Sequence, residues 1–248
     1  MIEIPSLRPE TRYGLPPADQ FLFNREYIVG YSYLFRQPRW ALEVIDPENR
    51  REAVERIDSY RPDLRVPEKF RADLADFEGS GYDRGHLVAS ADRRASRVEN
   101  SETFLLTNMS PQAPSFNRGI WKQLEEAVRD LARQYVETYV ISGPLFNIGQ
   151  PVDLVGDEVV IPHAFFKSIL AEDHKGRHTM WSFIFPNDYC PNPIESYMVT
   201  TLEVEYRSGL PIWDRLRGES GDLMRLARPP MWEMNRVSIY DTLYSFAR

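Results

Sequence analysis

Between Gly81 and Arg129 the chain gathers an imidazole, a carboxamide, carboxylates and several guanidinium groups. They fall in Asp83-Arg84-Gly85-His86 and in Phe116-Asn117-Arg118-Gly119-Ile120-Trp121-Lys122-Gln123-Leu124-Glu125, with Arg129 following. Hydrolysing a phosphodiester requires an activated water, charge neutralisation on the phosphoryl oxygens and help for the leaving alkoxide. These residue types match those tasks. His86 is the only histidine of the stretch, and a neutral imidazole is the usual base near pH 7. On a strand, residues two apart project to the same side, so Arg84 can meet a phosphate that His86 serves. A lone histidine is more often a hydrogen-bonded structural residue, and here its neighbours reverse that expectation.

Asn117 carries two readings. It can cap the helix that follows, or its amide oxygen can bind a hard cation such as Mg²⁺, which favours oxygen ligands and keeps most of its waters. Glu125 lies roughly 12 Å further along a regular helix and is rotated by about 80°. That is too far to share the ion's inner ligands easily, so Glu125 is an acceptor for the water around it. Arg129 stands at i+4 from Glu125, where it is either an ordinary helical ion pair or a guanidinium oriented toward the phosphorane.

Other candidates carry less. His174 and His178 stand at i,i+4, but Lys175-Gly176 between them suggests a hairpin loop and not a helical zinc pair. His163 follows Pro162 at a strand boundary with no carboxylate partner in view. The single Cys190 excludes an internal disulfide framework and a thiolate zinc cluster. There is no phosphate-cradling glycine loop with an attached lysine and no nucleophile elbow.

The elements that must position these residues follow from periodicity and turn chemistry. Residues 1–25 are proline-rich and read as an arm. Tyr27–Tyr31 and Trp40–Ile45 read as strands of a hairpin turned at Arg36–Arg39. Residues 47–80 are charged and aperiodic, a long loop of a kind that is usually functional or poorly ordered. Asp83–Ala89 and Phe104–Asn108 are short enough for strands. Asn117–Tyr135 is the best helix, with Ile120, Leu124, Val128, Leu131 and Tyr135 on one face. Thr138–Ser142, Val159–Ile161, Phe165–Leu170 and Thr179–Phe185 suggest further strands of the same sheet. Thr200–Glu203 has capping-box spacing and opens a helix that stops at Gly209. Gly218–Gly221 reads as a linker-like break, and Trp232, Tyr240, Tyr244 and Phe246 pack on the domain or on a partner.

With 248 residues and 42% apolar content, one large core is expected. The expected organisation is a domain over 1–215, with 1–25 as its arm, and a C-terminal extension over 216–248. The net charge of −7 argues against a uniformly basic nucleic-acid surface. The stretch from Asp83 to Arg133 nonetheless balances at +1 while the rest of the chain carries −8, and a metal ion could supply the positive charge that the composition lacks. No signal peptide or membrane span is visible, so no membrane is expected as a partner.

At these residues the chain resembles the DNA/RNA non-specific endonuclease family of ββα-metal nucleases. Asp83-Arg84-Gly85-His86 matches its DRGH signature, and Thr107-Asn108-Met109-Ser110-Pro111-Gln112 is similar to its second block. Phe116-Asn117, Trp121 and Leu124-Glu125 match its N-x₃-W-x₂-LE helix. Ser142–Phe146, Ile161–Lys167 and Ser208–Leu210 occupy the places of family core segments, so the likeness runs over roughly residues 12–215. The resemblance implies an α+β, ββα-metal (His-Me finger) fold with a central mixed or antiparallel sheet flanked by helices. It implies a Mg²⁺-dependent endonuclease, with Mn²⁺ able to substitute, cutting DNA and RNA with little sequence preference and leaving 5′-phosphate ends.

In residues, the resemblance implies His86 as general base, Asn117 as the one direct protein ligand of a hydrated ion, and Glu125 in its water network. Arg84 and Arg129 would surround the phosphate, and Asp83 and Asn108 would support His86 and the local geometry. Arg118 joins the substrate contacts, as does Arg71, the best upstream arginine. A homodimer and an inhibitor protein are candidate partners. The alternatives are a toxin or defence nuclease effector restrained by a partner, and a catalytically silent nucleic-acid-binding module.

Overall fold

The structure is a computed structural model, and it describes residues 8–46, 54–147, 149–156, 158–216 and 218–232. Its strands are β1 (Gln20–Asn24), β2 (Tyr27–Ser32), β3 (Gln37–Val44), β4 (Asp83–His86), β5 (Met109–Gln112), β6 (Glu137–Leu145), β7 (Leu154–Val155), β8 (Val159–Val160), β9 (Ala164–Glu172), β10 (His178–Pro186) and β11 (Met198–Val199). Its helices are α1 (Leu74–Phe77), α2 (Arg97–Glu102), α3 (Pro114–Phe116), α4 (Lys122–Ala132), α5 (Thr201–Ser208) and α6 (Glu219–Leu226). Seven strands form one antiparallel sheet in the order β1-β2-β3-β6-β9-β10-β11, while β4-β5 and β7-β8 are separate two-stranded ribbons. The class is α+β.

Both faces of the large sheet are buried, which explains why its strands read as nearly continuous apolar runs. On one face Tyr27, Val29, Val140, Phe165, Ile169 and Phe183 pack with Leu124, Val128 and Leu131 of α4. On the other, Ile28, Trp40, Leu42, Ile141, Phe166 and Leu170 pack with Val204 of α5 and with Trp213. Fully burying each such side chain contributes about 1.5–3 kcal/mol, so α4 is fixed to the sheet by its apolar stripe. The expected stripe forms from Ile120 to Leu131, but the regular helix ends at Ala132, leaving Tyr135 to pack against the cluster from beyond it.

Several boundaries differ from the sequence reading. The partner of β4 is Met109–Gln112, because Leu106–Asn108 closes into a 3₁₀ turn. Val159–Val160 pairs with β7 and not with the large sheet. The arm contains β1, which alternation alone did not single out. Gly218 precedes α6 where a linker was expected, and Thr200 and Gly209 cap α5 as expected, Gly209 at φ 65°. Beyond α6, Trp232 enters the α4 side of the core and donates from Nε1 to the Ala127 carbonyl at 3.2 Å. Tyr240, Tyr244 and Phe246 lie outside the described residues. No helix among the described residues is long and apolar enough to cross a membrane.

Candidate active site

β4 and β5 lie beside the start of α4, giving a strand, strand, helix unit whose open side is a cavity of about 560 Å³. Arg56, Tyr60, Asp83, Arg84, His86, Asn117, Arg118, Lys122, Glu125 and Arg129 all line it. Two local features let the unit close. Gly85 pairs with Ser110 across the ribbon, and a Cβ there would stand 2.1 Å from the Gln112 side-chain Oε1, so a larger residue would have to displace that buried side chain. Trp121 donates from its indole N–H to the His86 carbonyl at 3.2 Å, tying the ribbon to the helix.

The approach to α4 is not a regular N-terminus. Asn117–Trp121 is a π-type turn with Gly119 at φ −98°, ψ −113°, so Asn117 is not the N-cap of a continuous helix. Such bulges re-aim side chains and recur at functional sites. Here the turn directs the Asn117 amide toward β4, where Nδ2 donates to Asp83 Oδ2 at 2.8 Å. Its Oδ1 makes no hydrogen bond with the described residues. Arg118 grips the same carboxylate, with Nε and Nη2 at 2.8 and 2.6 Å. Burial works to raise the Asp83 pKa, but the hydrogen bonds from Arg118 and Asn117 prevail and hold it below the usual range. Asp83 therefore braces Asn117 directly.

His86 sits edge-on to the rings of Tyr60 and Phe104, with centroids 5.9 and 5.0 Å away. Its Nε2 is buried without a hydrogen-bond partner, which leaves Nδ1 as the ring nitrogen open to the cavity. Burial, and then the charge of Arg56, depress its pKa to about 3, with Asp58 opposing. The imidazole is neutral at working pH. Arg84 lies 4.5 Å over the Tyr60 ring and has no carboxylate partner among the described residues, so its guanidinium is free for an anion. Arg129 donates from Nη1 to Asp92 Oδ1 at 3.0 Å, and its Nη2 has no hydrogen-bond partner among the described residues. The partner expected on its own helix, Glu125, is not the one it takes.

Glu125 makes no hydrogen bond or ion pair with the described residues. It is part-buried and lines the cavity, and burial pushes its pKa up to about 7 against the pull of Lys167 and Arg129. Among the described residues no group of three His, Cys, Asp or Glu could cage a metal ion. The site instead offers the Asn117 amide oxygen as a direct donor, with the Glu125 carboxylate lining the same cavity. That suits a hard cation which keeps most of its waters.

Two residues singled out in the sequence lie elsewhere. Asn108 is fully buried outside the cavity, donating from Nδ2 to the carbonyls of Val88 and Thr103 and accepting from the Val88 N–H. It shapes the turn after His86. Arg71 is also outside, with Nη1 on the Val66 carbonyl at 3.3 Å. The upstream arginine that lines the cavity is Arg56, held by Asp58 at 2.7 Å and by the Tyr60 hydroxyl. Its only sequence signal is the local Arg-x-Asp-x-Tyr spacing, which has no periodicity to place it. Asp92 also escaped the sequence reading, because nothing local marks it as the partner of Arg129.

Comparison with known proteins finds nucleases at the level of both sequence and fold. The sequence model of the DNA/RNA non-specific endonuclease family matches residues 8–219. Mitochondrial endonuclease G of Homo sapiens is 33% identical over 224 residues, covering 86% of this chain and 75% of its own. Nuclease C1 of Cunninghamella echinulata var. echinulata is 33% identical over 220 residues, covering 83% and 87% respectively. Among solved structures, an EndoG/EndoGI complex described as showing the mechanism of EndoG inhibition superposes with a TM-score of 0.80 at 31% identity, over 84% of this chain and 91% of that one.

Proposed function

The chain belongs to the DNA/RNA non-specific endonuclease family, metal-dependent enzymes that hydrolyse nucleic acids, and from that premise we propose how its residues divide the work. The observation that carries the reading is the convergence of Arg84, His86, Asn117, Glu125 and Arg129 on one cavity. The free Arg84 guanidinium and Arg129 Nη2 bind the scissile phosphodiester, and Arg56 flanks it. Contacts to phosphate oxygens carry no base sequence, which suits cutting DNA and RNA alike.

His86 holds its proton on buried Nε2, against the aromatic rings, and presents the Nδ1 lone pair to the cavity. There it takes a proton from the attacking water as the new P–O bond forms and the bond to the 3′-oxygen breaks, leaving a 5′-phosphate. An approaching phosphate offsets the charge of Arg56 and so strengthens the base. Asn117, braced by Asp83, would hold a hydrated Mg²⁺, with Mn²⁺ able to replace it, and Glu125 would accept hydrogen bonds from the surrounding water. When bound, that ion supplies charge neutralisation at the phosphoryl and leaving oxygens.

The test is cleavage of plasmid DNA and of RNA by the full chain in Mg²⁺, in EDTA and as His86→Ala. Loss of cutting in EDTA and in the variant is expected; undiminished cutting in either would end this mechanism. A protein inhibitor is a second element of the reading, supported by the solved relative held in a complex with one. Copurification of a stoichiometric partner that suppresses cleavage would establish it, and full activity of the protein drawn directly from its cells would exclude it.

A further inference from the structure

The sheet face under α4 is largely apolar and carries one charged seam. Ala41, Ser142 and Lys167 lie opposite one another across β3, β6 and β9. Glu43, two residues from Ala41, projects to the same side. Facing this row, Trp121, Glu125 and Arg129 follow at four-residue spacing and form one helical stripe. Asp92 and Arg93, from the turn that follows β4, fill the seam between the two.

Within it the pairs are explicit. Arg93 meets Glu43 at 2.8 Å and Arg129 meets Asp92 at 3.0 Å. Lys167 is 3% exposed, donates from Nζ to Ser142 Oγ at 2.8 Å and stands 4.4 Å from the centre of the Trp121 ring. Two carboxylates are thus matched by two arginines. Among the described residues the third carboxylate, Glu125, has no hydrogen-bond or ion-pair partner, and the third cation, Lys167, has a hydroxyl and a ring.

We infer that Lys167 is a positioning residue for the active site: from the sheet it braces Trp121 and balances the Glu125 carboxylate, so that the helix presents a charged acceptor beside an anionic substrate. The inference rests on the role given above to Glu125. A buried cation is costly to leave uncompensated, and an ammonium over an indole face gains from the ring quadrupole. Trp121 is itself bonded to the His86 carbonyl, so one ammonium steadies both the helix that carries Glu125 and the strand that carries the base.

Charge bookkeeping points the same way. Glu125 is faced by Lys167 and Glu43 from the sheet, Asp92 from the turn after β4, Arg129 and Glu126 from its own helix, and Arg84 and His86 across the cavity. Burial is the largest influence on it, and Lys167 is the largest one opposing burial. Burial likewise lowers the Lys167 pKa, while Glu125, Glu43 and Asp92 act to keep its charge.

The experiment compares Lys167→Met, which keeps the stem over Trp121 but removes the charge, with Lys167→Arg, which restores a cation. A carboxyl ¹³C titration of the metal-free full chain, with Glu125→Gln used to assign the resonance, reads Glu125 without reference to turnover. In Lys167→Met the Glu125 midpoint should rise by about one pH unit, the rising limb of kcat against pH should move with it, and KM should hold. Lys167→Arg should return both toward the parent. An unmoved Glu125 midpoint in folded Lys167→Met, or an arginine variant indistinguishable from the methionine one, overturns the inference. Should Lys167→Met fail to fold, Lys167→Gln carries the same comparison. Full activity of Glu125→Gln would instead overturn the role given to Glu125, while the titration still reports on Lys167.

Discussion

Asp83 Oδ2 accepts the Asn117 Nδ2–H at 2.8 Å, joining the first residue of β4 to the kinked turn that leads into α4. A carboxamide has one oxygen and one NH₂ group, so fixing the nitrogen decides where the oxygen points. The same carboxylate is held by Arg118, which keeps it ionised.

Replacing Asp83 by Ala should therefore free the Asn117 amide to rotate. Groups that orient a ligand typically matter by about 10–100-fold in metal affinity or activity. The expected outcome is that order of increase in the Mg²⁺ concentration needed for half-maximal plasmid cleavage. Arg118→Ala should cost less, because Arg118 is largely exposed and reaches Asn117 only through Asp83.

His86 ties activity to acid stability. Its folded pKa of about 3 lies below the ordinary 6.5, so the unfolded chain binds more protons between those values. Its contribution is present above about 6.5 and is lost as pH falls toward 3. His86→Ala should cut kcat by about 10²–10⁴-fold while flattening the fall in melting temperature over that window. A variant that melts with the same acid dependence as the parent would show that His86 does not titrate as described.

Glu125 has the opposite sign. With its folded pKa raised from 4.5 to about 7, the folded state binds the extra proton, and that stability is present below 4.5 and lost as pH rises through 7. Activity that needs the carboxylate should climb through the same range. Glu125→Gln in the metal-free protein should melt with less dependence on pH between 5 and 8, read by calorimetry.

Asp92 and Arg129 form a buried pair at 3.0 Å with side chains 5% and 10% exposed. Removing one partner of such a pair typically costs about 3–5 kcal/mol, because the other charge is left buried. Asp92→Ala should show that loss in denaturant unfolding and should also lower kcat by releasing the guanidinium. Arg129→Lys should unfold closer to the parent yet cleave poorly, since an ammonium has no second nitrogen to offer the phosphate.

Truncation before residue 216 should destabilise and not activate. Trp232 is 8% exposed, packs on Trp181 and Phe183, is bonded to the Ala127 carbonyl and is not among the residues that line the cavity. Deleting a buried aromatic side chain typically costs about 3–5 kcal/mol. Trp232→Ala should show a loss of that order, with kcat of the folded fraction unchanged.

What the sequence by itself determined was local. DRGH on a short strand, the apolar stripe from Ile120 to Leu131 and the glycine stop at Gly209 follow from periods and caps spanning a few residues, and each appears in the structure. Which residues meet across the chain was decided by the tertiary fold. Asn117 was legible as a cap or a ligand, and only the approach of β4 showed its nitrogen committed to Asp83. Arg129 had Glu125 at helical spacing, yet burial of the helix against the sheet brought Asp92 closer and left Glu125 to face Lys167 from a strand some forty residues on. Arg56 reached the cavity from an aperiodic segment, and Asn108 lies outside it, bonded to the backbone of Val88 and Thr103. Spacing along a chain fixes which side chains share a face; which face meets which is set by the burial of apolar surface, a property of the whole fold.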